Sequence, residues 1–344
     1  MELTMEQKKK ALAMFDTPKE FYPEALKMLT SQELELILLM GKDVIPEDEL
    51  ERRIGEAGIA KFPRTLIRTA YTRCVTKKVR LEDNTLCYQI MNFYARYPYF
   101  AQFEYEEYAR FPRARKDRLN QWDYSIYLAE CRDMVQAKLD GQNIYLHDGD
   151  FLTLEQAIES VQDYEFLCVV PCNCKCMMDL TQRPRDTCLH TWNGENSAWD
   201  RGHGRQVTVE QAVELIKMWR SRGLMQNGNP FMEGGFCNCD CPSCYPIQMS
   251  KELGAQGIHP RAYWTIHWDA SKCINCAKCT KVCNFEAFTV GADKKVVFEP
   301  QKCWGCTVCT DNCPTGAITK TPVEDAPPMS EQTNYEAEGG EAIH

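Results

Sequence analysis

The stretch Lys272-Cys273-Ile274-Asn275-Cys276-Ala277-Lys278-Cys279-Thr280-Lys281-Val282-Cys283-Asn284 spaces four cysteines as C-x2-C-x2-C-x3-C, and Lys302-Cys303-Trp304-Gly305-Cys306-Thr307-Val308-Cys309-Thr310-Asp311-Asn312-Cys313-Pro314 repeats it. That spacing supplies thiolates to a pair of [4Fe–4S] cubanes, the fourth cysteine of each run ligating the other cluster. The expected ligand sets are therefore Cys273, Cys276, Cys279 and Cys313 for one cluster, and Cys303, Cys306, Cys309 and Cys283 for the other. Short apolar runs flank each loop: Thr265–Trp268 and Val296–Phe298 before, Ala287–Val290 and Ala317–Thr319 after. They read as strands in a two-fold pattern. The copies differ at one flanking position, where Asn284 stands in place of Pro314; the substitution keeps every ligand and is expected to alter only loop rigidity. Lys272, Lys278, Lys281 and Lys302 lie beside the ligands, either offsetting cluster charge or simply solvated.

Outward from this segment, the 344-residue chain has room for two or three domains. Its 20 cysteines cluster at metal-ligand spacings, and residues 1–10 carry no secretory pattern. Reduced thiolates holding metal, in a soluble cytoplasmic protein, are the expectation. No apolar run is long enough to span a bilayer. The net charge of −9 makes nucleic acid an unlikely partner for the whole molecule.

Upstream, residues 151–161 (FLTLEQAIESV) resemble 206–216 (QVTVEQAVELI). In each, a threonine followed three residues later by glutamine makes a capping box, so both begin amphipathic helices. A Cys-Asn-Cys-x-Cys core follows each: Cys172, Cys174 and Cys176, with Cys188 as a fourth thiol, then Cys237, Cys239 and Cys241, with Cys244. In an extended chain, cysteines two apart point to one side, near enough to share a metal site. Three readings stand for these eight thiols: one or two further Fe–S clusters, structural zinc, or unliganded thiols. Each unit holds its own site, or both converge on one. His190 and His203 have no paired spacing and are poor ligand candidates.

Toward the N-terminus, a helix over 33–40 capped by Ser31, a second over 47–55 after Pro46 and a third after Pro63 precede a hairpin at 79–81 and 86–90, the outline of a winged helix. Arg64, Arg68, Arg73, Lys77, Lys78 and Arg80 give that outline a basic face, suited to a phosphate backbone or simply solvated. The aromatic run from Phe93 to Tyr108 is expected to pack internally, and a long helix to follow at about 117–139.

The fold class is thus α+β: a mainly helical, winged-helix-like segment over 1–150 and a mixed cysteine-rich middle over 151–260. A double-cubane domain over 261–320 and an acidic, disordered tail over 321–344 complete it. Pro171-Cys172-Asn173-Cys174, Cys188-Leu189, Arg205–Ala212, Cys237–Cys244 and Cys273–Pro314 together resemble a family of multi-cluster iron–sulfur proteins from anaerobes, which also has a winged-helix-like leader. The resemblance implies a bacterial-type ferredoxin domain and electron transfer within a hetero-oligomeric redox complex, beside a flavoprotein or a metal-dependent oxidoreductase. No nucleotide-binding G-x-G-x-x-G or P-loop is present, and no catalytic residue is expected. The competing function is an iron–sulfur redox sensor that regulates transcription through the winged helix.

Overall fold

The computed structural model describes residues 3–231 and 236–335. They divide into two compact units, one of the described residues up to Asp123 with Asn193–Gly204, the other of Tyr124–Trp192 with the described residues from Arg205 onward. The middle and ferredoxin segments, expected as successive domains, share the second unit.

The first unit runs α1 (Met5–Met14), α2 (Tyr22–Met28), α3 (Ser31–Met40), β1 (Ile45–Pro46), α4 (Glu47–Glu56), α5 (Pro63–Thr72), β2 (Thr76–Arg80), β3 (Leu86–Ile90), α6 (Phe93–Phe103) and α7 (Tyr105–Ala109). The cap of α3 is Thr30, one residue before the expected Ser31: its hydroxyl accepts from Glu33 N at 3.2 Å while Glu33 Oε2 accepts from Thr30 N at 2.7 Å. The reciprocal pair decides the position. β1 joins the β2–β3 hairpin in the order β1-β3-β2. Phe93, Tyr97, Phe100 and Tyr108 are buried and pack ring on ring, so the aromatic run is core. Arg96, wholly buried, donates to Met28 O at 2.8 Å and pairs with Glu104; Arg73 pairs with Glu33 at 2.7 Å and with Glu104 at 2.8 Å.

α8 (Arg113–Leu139) begins in the first unit and ends in the second. There follow β4 (Phe151–Leu152), α9 (Leu154–Glu159), β5 (Cys168–Pro171), α10 (Asn173–Met178), β6 (Asp186–His190), β7 (Arg205–Gln206), α11 (Val209–Ser221), β8 (Met225–Gly228), β9 (Phe236–Cys239) and α12 (Tyr245–Glu252). Thr153 and Thr208 cap α9 and α11 with the reciprocal glutamine bonds that the near-repeat implies. A six-stranded sheet, β4-β8-β9-β6-β5-β7, lies behind these helices.

The ferredoxin segment adds β10 (Trp264–Trp268), α13 (Lys278–Val282), β11 (Phe288–Val290), β12 (Val296–Phe298), α14 (Val308–Asn312) and β13 (Ile318–Pro322). The strand before the first loop pairs with the strand after the second, Trp264 opposite Pro322, and β11 pairs with β12 between them. Interleaving is what carries the last cysteine of each run across to the other. One hydrophobic core takes in Phe151, Met225, Cys239, Cys244 and Ile247 from the middle segment with Ile266, Phe288, Trp304 and Val308 from the ferredoxin segment. Past β13, Met329 and Gln332 are buried, and Gln332 Nε2 donates to both oxygens of Asp150 at 3.0 and 2.9 Å. These residues fall in the stretch expected to be disordered, of which residues 336–344 lie outside the described residues. No helix among the described residues is long and apolar enough to cross a membrane.

Candidate iron–sulfur sites

Three cysteine-lined cavities lie in the second unit. Cys273, Cys276, Cys279 and Cys313 line the first, with Trp268, Ile274 and Ile318 as apolar walls. Cys283, Cys303, Cys306 and Cys309 line the second, closed by Ile266, Phe288 and the stacked rings of Phe285 and Trp304, whose centroids are 4.7 Å apart. The structure thus brings together the crossed sets and not the sequential ones. Burial pushes the Cys279 thiol up to about 11, that of Cys306 to about 12 and that of Cys309 well above the ordinary range. Cys313 goes the other way: burial opposes ionisation, but the N–H groups of Thr315, Ile318 and Ala317 and the Thr315 hydroxyl outweigh it. Neutral thiols held in an apolar wall release protons when they bind metal, so cluster assembly is coupled to pH.

The residues fit [4Fe–4S] clusters. Four thiols ring each cavity instead of closing on one point, and among the described residues no three His, Cys, Asp or Glu side chains gather tightly enough for a single ion. A glycine at the second loop has a physical reason: Gly305 sits at φ +68°, and a Cβ there would come within 2.6 Å of Trp264 O.

The third cavity joins the two Cys-Asn-Cys-x-Cys units. It is lined by Cys172, Cys174 and Cys188 from the first and by Cys237, Cys239 and Cys244 from the second, with Asp148, Lys175 and Asp240. The units are not built alike. Cys237 to Cys239 lie on β9, whereas Cys172 caps α10 and Cys174 and Cys176 fall within it. Helical winding turns Cys176 out of the cavity into a buried site where desolvation raises it to about 12. Cys241 also lies apart, its sulfur 3.1 Å from Lys251 Nζ. The remaining thiols form a run of hydrogen-bonded neighbours. Cys174 and Cys188 both bond to Cys172 and lower it, and are themselves raised.

Sequence reasoning passed over the polar frame of this cavity. Lys175, the variable residue of the first core, is buried and donates at 2.8 Å to both Thr187 Oγ1 and Asn238 O. Asn238, the asparagine of the second core, donates to Thr187 O at 2.8 Å and accepts from Gln226 at 2.9 Å. Gln226 accepts from Arg220 at 2.9 Å, and Arg220 also donates to Thr307, next to the cavity-lining Cys306, and pairs with Asp311 at 2.7 Å. His147 Nε2 lies 3.7 Å from Cys237 Sγ. The only available signals were a lysine inside a cysteine run and a histidine before Asp148.

Asn284 belongs to the same frame. Its Oδ1 accepts from Cys241 N at 3.1 Å and from Arg183 Nη1, and its Nδ2 donates to Gly223 O at 2.7 Å. A proline makes none of these bonds, so the departure from Pro314 is a joint between the ferredoxin loop and the middle segment. His190 is on β6, lowered by burial and by His147; His203, in the other unit, stacks on Phe103 at 4.2 Å and bonds Thr72 O. Neither lines a cysteine cavity.

Four of the six basic residues of the first unit's expected face are paired within it. Lys78 pairs with Asp200 at 2.8 Å, Arg80 with Glu195 at 2.6 Å and Arg64 with Glu51 at 2.7 Å, while Arg73 is in the buried network described above. Asn196 bonds both N and O of Lys78, so the segment 193–204 lies along β2.

Residues 266–320 match the family model described as a 4Fe-4S dicluster domain. An uncharacterized ferredoxin of Methanocaldococcus jannaschii is 43% identical over 58 residues, covering 17% of this chain and 94% of that protein. A ferredoxin of Methanothermococcus thermolithotrophicus is 46% identical over 55 residues, 16% of this chain and 92% of its own length. No solved structure matches. The chain belongs, through this segment, to the [4Fe–4S] dicluster ferredoxins.

Proposed function

We propose that this chain is an electron-transfer subunit of a larger oxidoreductase, in which the dicluster ferredoxin domain exchanges single electrons with a further iron–sulfur centre at the middle cysteines. Bound [4Fe–4S] clusters supply one-electron chemistry. The observation that carries the reading is the buried chain Thr307–Arg220–Gln226–Asn238–Lys175, which ties the wall of the second ferredoxin cavity to the wall of the middle one inside one packed unit. Arg220 and Lys175 place buried cations beside sites that become anionic once thiolates and sulfide are bound, and so favour reduction there. At the other end, Cys276 is exposed and Ile274 is 64% exposed, an apolar rim where a partner can approach the first cluster. The dicluster relatives support electron transfer; the reading places the chain in an anaerobic cytoplasm beside a flavoprotein or metal-dependent subunit. The arrangement β1-α4-α5-β2-β3 supports reading the first unit as a winged-helix scaffold, and its internally paired basic residues favour docking over DNA binding.

Anaerobic purification from the source organism, with iron and acid-labile sulfide analysis and low-temperature EPR, tests this. The reading expects iron above the roughly eight per chain of the dicluster domain and a co-purifying flavin- or metal-containing subunit that accepts its electrons. A chain that purifies alone and reduces no such subunit overturns it.

A further inference from the structure

The middle cavity holds more thiols than one cubane uses. A [4Fe–4S] cluster takes four thiolates, and six line this cavity, three from each unit. At about 30 Å³ it is of the same small order as the ferredoxin cavities, about 20 and 10 Å³, each lined by the thiols of one cubane, and we take it as the seat of one. Two thiols are therefore left over, and strand register singles them out. Cys172, Cys239 and Cys244 are buried, and Cys174, Cys188 and Cys237 are partly buried. Of the partly buried three, Cys174 lies in the first turn of α10, whereas Cys188 and Cys237 sit on adjacent antiparallel strands. Leu189 pairs with Phe236, so the same register sets Cys188 opposite Cys237, and their thiols are hydrogen-bonded. Directly opposed residues in an antiparallel pair have Cα atoms about 4.5–5.5 Å apart, within the range a disulfide spans. His147, exposed to solvent, lies 3.7 Å from the Cys237 sulfur.

We propose that Cys188 and Cys237 form a redox-active dithiol beside a single [4Fe–4S] cluster held by Cys172, Cys174, Cys239 and Cys244. This rests on the reading of the middle cysteines as iron–sulfur ligands. Reduction breaks the Cys188–Cys237 sulfur–sulfur bond, takes up two electrons and two protons and leaves two thiols. Clusters held by the ferredoxin cysteines would supply the two electrons one at a time, and the protons would come from solvent at the His147 side. In reverse, the dithiol would give both electrons back to those clusters or, by thiol–disulfide exchange, to a disulfide substrate. The site thereby couples one-electron carriers to a two-electron reaction.

The test is iron content and thiol mapping of the full chain purified anaerobically. The wild type is expected to hold about twelve irons and a Cys188→Ser/Cys237→Ser variant the same number, whereas Cys172→Ala/Cys239→Ala falls to about eight. After mild oxidation, acid quenching and alkylation, mass mapping is expected to find a Cys188–Cys237 disulfide with iron retained, and two alkylated thiols there after reduction. Loss of iron in the Cys188→Ser/Cys237→Ser variant, about sixteen irons in the wild type, or no disulfide at this pair overturns the dithiol while leaving the middle cluster standing. About eight irons, or zinc at the middle cysteines, overturns the cluster reading itself.

Discussion

Replacing Asn284 by proline restores the residue that its counterpart loop carries and should leave the ferredoxin ligands untouched, yet it should loosen the ferredoxin segment from the middle one. The half-buried amide accepts from Cys241 N and Arg183 and donates to Gly223 O. A neutral hydrogen bond contributes about 0.5–1.5 kcal/mol net and one to a charged partner about 1.5–3 kcal/mol. Crediting only part of the sum, since Arg183 keeps its bond to Gly223 O, gives roughly 3 kcal/mol, or about a hundredfold in the local opening equilibrium. The assay is amide hydrogen exchange on the anaerobic, cluster-loaded protein. Protection of the Cys241 amide, whose acceptor is lost, should fall about a hundredfold, while the iron of the dicluster domain is retained. Unchanged protection at Cys241 would refute the assignment of Asn284 as the joint. Loss of dicluster iron would show instead that the residue shapes its own ligand loop.

The crossed ligand sets predict iron losses by pairs: Cys283→Ala/Cys303→Ala should remove about four irons and Cys283→Ala/Cys273→Ala about eight, the reverse of what sequential ligation gives. Arg73→Ala leaves Glu33, 1% exposed, without its cation, and should destabilise the first unit by about 3–5 kcal/mol in anaerobic urea unfolding. Lys138, buried with its Nζ on Gly149 O at 2.9 Å, is pushed by desolvation from 10.5 down to about 8, with Asp150 opposing. A cation depressed in the folded state destabilises fully below that value and recovers as pH rises toward 10.5. Wild type should therefore gain roughly 2 kcal/mol on a Lys138→Met variant between pH 7.5 and 10, read from paired anaerobic unfolding midpoints; a constant difference would refute the shift.

What could be read from the sequence was what local spacing determines. The C-x2-C-x2-C-x3-C runs pick out the eight cysteines that line the two ferredoxin cavities because the loop itself presents the thiols, and the Thr153 and Thr208 capping boxes act over three residues. The fate of the basic face was not legible, because Glu195 and Asp200 reach Arg80 and Lys78 from more than a hundred residues away. The middle site shows a subtler failure. Two identical Cys-Asn-Cys-x-Cys cores suggested two copies of one ligand loop, but one winds into α10 and the other extends along β9. The backbone repeat pairs different cysteines: Cys172 (φ −74°, ψ 121°) and Cys244 (φ −72°, ψ 120°) share one conformation, each at the start of a helix over the cavity. The strand register then supplies Cys188 and Cys237. A motif repeated in sequence thus became two different halves of one site, since the sheet fixes one half by its ladder and the helix turns the other by its 3.6-residue period. Cys176 and Cys241, equivalent in the motif, both stay out of the cavity lining, a point on which the two halves agree.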